Sequence, residues 1–421
     1  MSVFKKTVLA SSLMFVSSQA CAAAFQLAEQ NVSGLGRAYA GEASAADDAS
    51  VVARNPALMS QFDSAQLSIG AMFVEPDVSL RGISTNNGMD AGVLDDSSIA
   101  PSAIVPAVYY TTPVAENLSI GMGVFSQFGL ATKFAKDYAA GQLAGETEIV
   151  TVNTNVSAAY QVSEALSVAL GVNYVYADAK IERTFGASSL PVPAQTQAVH
   201  LEGDDSGYGW NIGLSYQLDG NSRFGFHYRS ETDIRFAGEF SNQLPAGAPF
   251  YGTQGKALPG FVELTLPAIA EFSGSHLVDE QSTLHYSVLW TGWSSFKTLA
   301  AQVEGRGTVF SKDENFSNSL RYSIGMEHQY NSMLKLRAGI AYDESPADEF
   351  HLSISIPDTD RMWYSLGAEY RVGKQSSVDF GLSILRGKTQ NFIERDNLGQ
   401  AWGFESKGHA TVAGIQYNLS F

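Results

Sequence analysis

The sequence predicts an all-β protein: a 14-stranded antiparallel transmembrane β-barrel with an N-terminal plug, or hatch, in the lumen. Three observations lead there. Segments of about ten residues that alternate apolar and polar side chains recur down the chain, the period of a strand with one face in lipid and one in a polar lumen. The connections between them alternate short and long, as the two ends of such a barrel do. No run of about 18 apolar residues follows the N-terminus, so helices are not the spanning elements. Only 16% of the 421 residues are charged, which is low for a soluble protein. No linker or composition break divides the chain into soluble domains.

Residues 1–22 read as a signal peptide. Lys5 and Lys6 give a basic start, Val8 to Val16 a short apolar core, and Ala20-Cys21-Ala22 a small-residue cleavage site cut after Ala22. A lipoprotein signal at Cys21 is the alternative, but Ser18-Gln19-Ala20 fits poorly with the pattern it needs. Cleavage removes the only cysteine, so the exported chain has no disulfide framework. Losing Lys5 and Lys6 takes the net charge from −17 to −19, which disfavours nucleic acid as a partner. Acidic loops also simply keep an exported protein soluble. Residues 23–63 are rich in Gly, Ala, Ser and Asp, show no strand period and close on Asn55-Pro56-Ala57. They are assigned to the plug, and residues 64–421 to the barrel.

The fourteen strands are expected at 65–82, 101–112, 117–128, 148–162, 165–183, 206–218, 222–236, 260–277, 281–293, 318–330, 332–343, 361–372, 377–388 and 407–421. Six short turns and seven long loops join them, the long ones at about 83–100, 129–147, 184–205, 237–259, 294–317, 344–360 and 389–406. Both chain ends then fall on the short-turn side, the periplasmic side of outer-membrane barrels.

Parity separates the two faces. Tyr208, Trp210, Ile212, Leu214, Tyr216 and Leu218 share the lipid face of the sixth strand, and Thr411, Ala413, Ile415, Tyr417, Leu419 and Phe421 that of the last. The charges take the other face: His227, Arg229, Glu231, Asp233 and Arg235 on the seventh strand, then Arg321, Glu327, Lys335, Arg337, Asp343, Glu369 and Arg371. Cross-strand ion pairs that rigidify the interior are the simplest reading of these. A charge on the lipid face would cost about 2–4 kcal/mol at mid-bilayer. The third strand breaks the rule. Leu118, Ile120, Met122 and Val124 face lipid, but strict alternation then sends Ser126 into lipid and Phe125 inward. Either a bulge or kink near 126–129 repairs this, helped by Gly121, Gly123 and Gly129, or the strand ends there.

Several short stretches carry a resemblance. Phe25-Gln26-Leu27, Ser33-Gly34-Leu35-Gly36-Arg37-Ala38-Tyr39, Ala46-Asp47-Asp48-Ala49 and Arg54-Asn55-Pro56-Ala57 open the series. Segment 73–78, Gly129-Leu130-Ala131-Thr132, Ala179-Lys180-Ile181-Glu182-Arg183 and Tyr228-Arg229-Ser230-Glu231 continue it, with 340–346 and 353–358 further on. In order and spacing the set resembles the FadL family, the long-chain fatty-acid transporters of Gram-negative outer membranes. The loops match least.

The resemblance implies a route. A ligand lodges between outer loops, passes to an enclosed pocket near the start of the plug, and leaves sideways into the membrane at the kinked third strand after the plug rearranges. It also implies residues. Arg183 and Ser126 would hold the carboxylate, together with Lys312 and the chain start near Phe25. Asp343 would pair with cations or the plug. Asn55, Pro56, Ala57 and Gly129 would shape the gate. Leu130, Phe134, Tyr138 and Leu143, near helical spacing in loop 129–147, would either line the capture groove or pack on neighbouring loops. For Arg183, Lys312 and Asp343 the plain alternative is a solvated charge at a loop base, and for Asn55-Pro56 a simple turn.

The expected function is uptake of long-chain fatty acids by substrate-gated passive diffusion. Burying an acyl chain is favourable by about 0.8 kcal/mol per methylene, so an apolar tunnel suits it better than an aqueous pore. Uptake of neutral aromatic or other hydrophobic compounds is the alternative within the family. A general porin would need an open lumen, and a barrel hydrolase would want a Gly-x-Ser-x-Gly elbow, which the sequence lacks. No cofactor, metal or nucleotide motif is present. Expected partners are long-chain fatty acids, outer-membrane lipids and the barrel-assembly machinery, which would read the terminal Phe421; the chain is expected to be a monomer in the outer membrane.

Overall fold

The computed structural model describes residues 24–85, 88–187, 191–247 and 252–421. The expected signal peptide, residues 1–22, lies outside the described residues.

Strand-forming sequence fills most of the chain. The strands are β1 (Gln66–Thr85), β2 (Ala103–Ala115), β3 (Leu118–Phe125), β4 (Gly129–Lys133), β5 (Glu146–Gln161), β6 (Leu166–Thr184) and β7 (Gln197–Gln217). Next come β8 (Ser222–Arg229), β9 (Thr232–Ser241), β10 (Leu258–Leu266), β11 (Ile269–Leu277), β12 (Ser282–Thr291), β13 (Thr298–Val303) and β14 (Gly307–Asp313). The last are β15 (Ser319–Gln329), β16 (Leu334–Asp343), β17 (Arg361–Arg371), β18 (Ser376–Gly387), β19 (Gln390–Arg395) and β20 (Ala401–Ser420). All pairings are antiparallel, and β20 pairs with β1 from Gln66↔Ser420 to Thr85↔Trp402, which closes the sheet. Counting β3 with β4, β8 with β9 and β10 with β11 as single bent staves gives fourteen around the ring, as expected. The β13–β14 hairpin pairs onto β10, and β19 onto β20; both extend the wall beyond the staves.

The outward face is apolar along each stave, as the alternating sequence requires. Leu170, Val172, Leu366 and Met122 are exposed there, positions that only lipid can cover. Exposed aromatics form two belts. Tyr160, Tyr216, Tyr330, Tyr370 and Tyr417 lie near the short turns, while Tyr208, Trp210, Tyr322 and Tyr364 lie six or eight residues further along their strands, with Tyr174 level with Tyr208. That separation suits an apolar band about 25 Å tall.

The register departs from the expected parity in one place. Glu231, Asp233 and Arg235 do not face the lumen. Two residues rather than one separate inward Arg229 from inward Thr232, so the break at Ser230-Glu231 flips β9 relative to β8. The outward charges lie beyond the Tyr208–Trp210 belt, where Arg235 stacks 3.9 Å from the Phe261 ring and Asp233 accepts a hydrogen bond from Thr265. Charges there meet water or head groups, so the lipid penalty does not apply.

Residues 24–62 run inside the ring. Short helices α1 (Val32–Leu35) and α2 (Val51–Arg54) and a 3-10 turn (Pro56–Gln61) are all this segment has. Its backbone is instead satisfied by inward hydroxyls and amides of the wall. The Gln416 side chain on β20 accepts from Val32 N–H at 3.1 Å, Ser287 on β12 from Gly41 at 2.7 Å, Ser273 on β11 from Ala43 at 3.2 Å, and Ser68 on β1 from Ala49 at 3.1 Å. Small residues make this closeness possible: a Cβ on Gly36 would sit 2.9 Å from Gly367 Cα of β17.

Candidate functional site: charged cap, apolar slot and broken wall

The centre of the ring holds an ion-pair network built from the inner segment and β15 to β18. Arg37 pairs with Glu42 at 3.1 Å, with Asp47 at 2.6 Å and with Glu327 of β15. Arg337 of β16 reaches Glu327 at 2.8 Å, Glu369 at 3.0 Å and Asp379. Lys335 joins Glu369 at 3.3 Å. Buried charges of both signs in one network satisfy each other where neither alone is tolerable. Nearby, Ser275 Oγ, His285 and Glu327 follow each other at 2.8 and 3.7 Å. The resemblance to a hydrolytic triad ends there: Ser275 Oγ is also 2.7 Å from Ser44 Oγ of the inner segment, and the pair is buried beneath it.

The start of the inner segment meets the fault in the wall. β3 stops at Phe125 and β4 resumes at Gly129; against β5, residues 126–128 oppose only 151 and 152, a one-residue bulge. On the other side the β2–β3 ladder ends at Val108↔Val124, so residues 103–107 of β2 pair with β1 alone. The expected register break near 126–129 is therefore a bulge. Gln26 forms an antiparallel bridge with Phe128, with Leu27 N–H donating to Gln127 O and Gly129 N–H to Phe25 O, both at 2.8 Å. The unpaired edge created by the bulge is thus covered by the first residues of the inner segment.

Phe25 anchors this junction. Its ring lies 4.6 Å from Trp293, 5.3 Å from Phe296 and 6.0 Å from Phe128, edge to face. It also walls a narrow apolar slot of about 70 Å³ with Leu130, Ile149, Ile181, Phe236 and Ile356. Glu148, Glu202 and Glu239 border the slot from the opposite faces of their strands.

A charged cap sits against the slot. Segment 353–358 folds across, with Ile356 in the slot lining and Ser355 Oγ accepting from Arg183 Nη2 at 2.9 Å. Arg183 also donates to Thr147 Oγ1 at 2.8 Å and to the carbonyls of Glu146 and Glu182. Among the described residues no carboxylate lies within ion-pair distance of it. Lys312 Nζ reaches Glu394 Oε1 at 2.9 Å and Glu314 at 3.8 Å, and the second Glu394 oxygen takes Ile354 N–H at 3.0 Å. Glu314 lies in a loop outside the spanning strands. Burial pushes its carboxyl up to about 7, with Lys312 pulling the other way and Glu394 adding to the rise.

The sequence model of a family described as "Outer membrane protein transport protein (OMPP1/FadL/TodX)" matches residues 13–421. This chain belongs to that family. Relatives of the OMPP1/FadL/TodX family match it from end to end. A "Long-chain fatty acid transport protein" of Escherichia coli O6:H1 is 39% identical across the whole of this chain and 99% of its own. A "47 kDa outer membrane protein" of Pasteurella multocida is 43% identical over the same shares. Among solved structures, a Pseudomonas aeruginosa FadL homologue superposes with a TM-score of 0.85 at 21% identity, covering 94% of this chain and 99% of that one. The Ralstonia pickettii toluene transporter TbuX gives 0.68 at 17%, covering 93% and 98%. At those identities the two structures speak for the fold, which they share with this member of the family: a 14-stranded barrel of the outer membrane.

Other expected site residues of this OMPP1/FadL/TodX member fall as follows. Ser126 is buried within the bulge. Asp343 ends β16 at 3.7 Å from Arg361, which also pairs with Asp358 of the cap segment. Asn55 is set against β7, donating to Leu214 O at 2.9 Å, and its side chain caps the 3-10 turn through Ala57 N–H; Pro56 starts that turn. Asn55-Pro56-Ala57 therefore does not meet the wall at the bulge; Phe25, Gln26 and Leu27 do. The capture-groove residues also need correction. Leu130 faces the inner slot, while Phe134, Tyr138 and Leu143 pack beneath neighbouring loops with Leu80, Leu94, Ile354 and Trp402. Loop 129–147 has strand β4 and turns rather than a helix, so no free amphipathic face forms. Glu394, Ser355, Trp293 and Phe296 were not singled out from sequence; each sits on a long connection, and nothing local marks it as facing the slot.

Proposed function

We propose that this chain takes up long-chain fatty acids across the outer membrane by substrate-gated passive diffusion. One observation carries the reading: an apolar slot walled by Phe25 and Ile356 adjoins segment 353–358, whose Ser355 bonds Arg183 and whose Ile354 N–H shares Glu394 with Lys312. The slot suits an acyl chain and the two cations suit a carboxylate. The names printed for the full-length relatives support the same cargo. In this reading residues 23–63 are the plug, residues 1–22 the removed signal, and the bulge at 126–128 the lateral exit. Phe25, Ser126, Arg183, Lys312 and Asp343 serve the ligand, with Gly129 at the gate and Asn55, Pro56 and Ala57 seating the plug against β7. Neutral aromatic cargo is the second reading, favoured by the apolar lining alone; it leaves Arg183 without an anion.

The direct test is oleate uptake by an outer-membrane-competent host lacking its own transporter. Uptake above the empty-vector control is expected; none from well-assembled protein would overturn the proposal. A large steady pore in single-channel recording would favour a porin instead.

A pH test follows from Glu314. Its ordinary value is near 4.5 and its folded value about 7. Being raised, it is neutral in the folded protein below about pH 7, and its ionisation opposes folding as pH rises through that value. Ionised, it also repels an anionic head group beside Lys312. Oleate affinity is therefore expected to fall roughly tenfold from pH 6 to pH 8, and Glu314→Gln to flatten the profile. Titration of the detergent-solubilised protein measures both; an unchanged profile in the variant would refute the role of Glu314.

A further inference from the structure

The family-like stretch Tyr228-Arg229-Ser230-Glu231 has no part in the cap or the slot, yet it carries a buried arginine at the wall fault. Arg229 closes β8 and points into the ring, 4% exposed. Its Nη2 donates to Ala53 O of α2 at 2.8 Å, its Nη1 to Asn173 Oδ1, and its guanidinium carbon lies 5.4 Å from the Phe125 ring centre. Among the described residues its Nε has no acceptor. Arg37, Arg54, Arg337 and Arg361 each have a carboxylate partner. Around Arg229 stand neutral amides instead: Asn153, Asn155, Asn173 and Asn211, bonded to one another. One step back on the same face, His227 Nε2 is also unpartnered.

A buried guanidinium without an anion is costly, and its planar fork matches a carboxylate in two places at once. Here the fork has an unused N–H and a second N–H held by a neutral carbonyl. Phe125 is the last residue before the bulge at 126–128, and Ala53 belongs to the inner segment. The same guanidinium thus touches the root of the wall fault and the segment that fills the ring. We propose that Arg229 is a second seat for the carboxylate head group, occupied after the ligand leaves the slot, and that the Ala53 carbonyl fills that seat while no ligand is there. Arrival of the carboxylate displaces Ala53 O and loosens α2 from the wall next to the bulge. This rests on the fatty-acid reading above.

A merely structural clamp would treat charged and neutral cargo alike, so the ratio of the two is the readout. Uptake of oleate and of oleyl alcohol would be compared in cells carrying the full chain and no other transporter, with assembly checked by heat-modifiable gel mobility. Arg229→Gln is expected to lower the oleate-to-alcohol ratio about tenfold, the size of one lost bond to a charged group. Asn173→Asp supplies the guanidinium with an internal carboxylate, so the fold keeps its interior pairing; it is expected to lower the ratio similarly. It carries the test if Arg229→Gln does not assemble. An unchanged ratio in an assembled variant, with normal wild-type oleate uptake, overturns the Arg229 seat alone. Absence of wild-type oleate uptake overturns the fatty-acid reading and this seat with it.

Discussion

Replacing Arg37 with Ala is expected to turn a closed barrel into an ion-conducting one. Arg37 is the cation through which the inner segment is paired to the wall: it holds Glu42 and Asp47 of its own segment and Glu327 of β15. Its side chain is 1% exposed, so its loss removes one cation from each of three carboxylates where water cannot replace it, and leaves Asp47 only the 3.9 Å contacts to Lys335 and Arg337. Breaking a buried pair in this way costs about 3–5 kcal/mol. The cost falls on the inner segment rather than on the ring, because Arg337 and Lys335 still pair β15 to β18. The segment otherwise has the longer contacts of Asp47 to Lys335 and Arg337 at 3.9 Å, the Arg229 bond to Ala53 O, and neutral hydrogen bonds such as Gly41 N–H to Ser287 and Ala43 N–H to Ser273, each neutral bond contributing about 1 kcal/mol net. Steady single-channel conductance well above wild type, with unchanged heat-modifiable mobility of the barrel, is the expected result. Wild-type conductance from an assembled variant would show that the remaining contacts keep the lumen closed. Arg337→Ala would be less selective, since it unpairs Asp379 of the wall itself and takes one of two cations from Glu369.

The ring was legible in the sequence because lipid enforces parity: on β7, Tyr208 to Tyr216 alternate without exception. That constraint ends at the membrane surface, and so did the legibility. β7 begins at Gln197 rather than at 206, because Glu202, Asp204 and Asp205 look like loop yet lie where charge is free. The flip at Ser230-Glu231 left no glycine or proline to mark it, so Asp233 and Arg235 were read as lumenal. The bulge at 126–128 was visible for the opposite reason: continued alternation would have put Ser126 in lipid, a conflict within the sequence itself. The site was less legible than the ring. Arg183 and Lys312 stood out by resemblance, but Ser355 and Glu394, which bond them, come from connections far along the chain. Phe134, Tyr138 and Leu143 have the spacing of an exposed stripe, and only the loops that cover them show that they are packed.

Locking Gln26 to Phe128 is expected to stop uptake outright. The two face each other across an antiparallel bridge, and the hydrogen bonds Leu27 N–H to Gln127 O and Gly129 N–H to Phe25 O flank them, which makes them a non-hydrogen-bonded pair. Such pairs have Cα atoms about 4.5 Å apart, within the span a disulfide accepts. If the proposed gating is right, the first residues of the inner segment must leave the edge exposed by the bulge before cargo passes sideways. The double variant Gln26→Cys, Phe128→Cys would hold them there when oxidised. Phe128 also packs 6.2 Å from Trp293, so the reduced variant is expected to lose some slot packing on its own. The informative comparison is therefore within one protein. Oleate uptake should be near zero under oxidising conditions and recover severalfold on adding a membrane-impermeant reductant, while each single cysteine variant shows no redox response. Recovery is expected because the barrel closes through β1 and β20, away from the cross-link, and needs no refolding. Uptake that continues with the disulfide formed would mean that the junction of Phe25, Gln26 and Leu27 with the bulge is a fixed part of the wall. The route for the cargo would then have to be sought at the interrupted ladder between β7 and the β8–β9 stave instead, where ladder pairing is missing from Asp205 to Gly209.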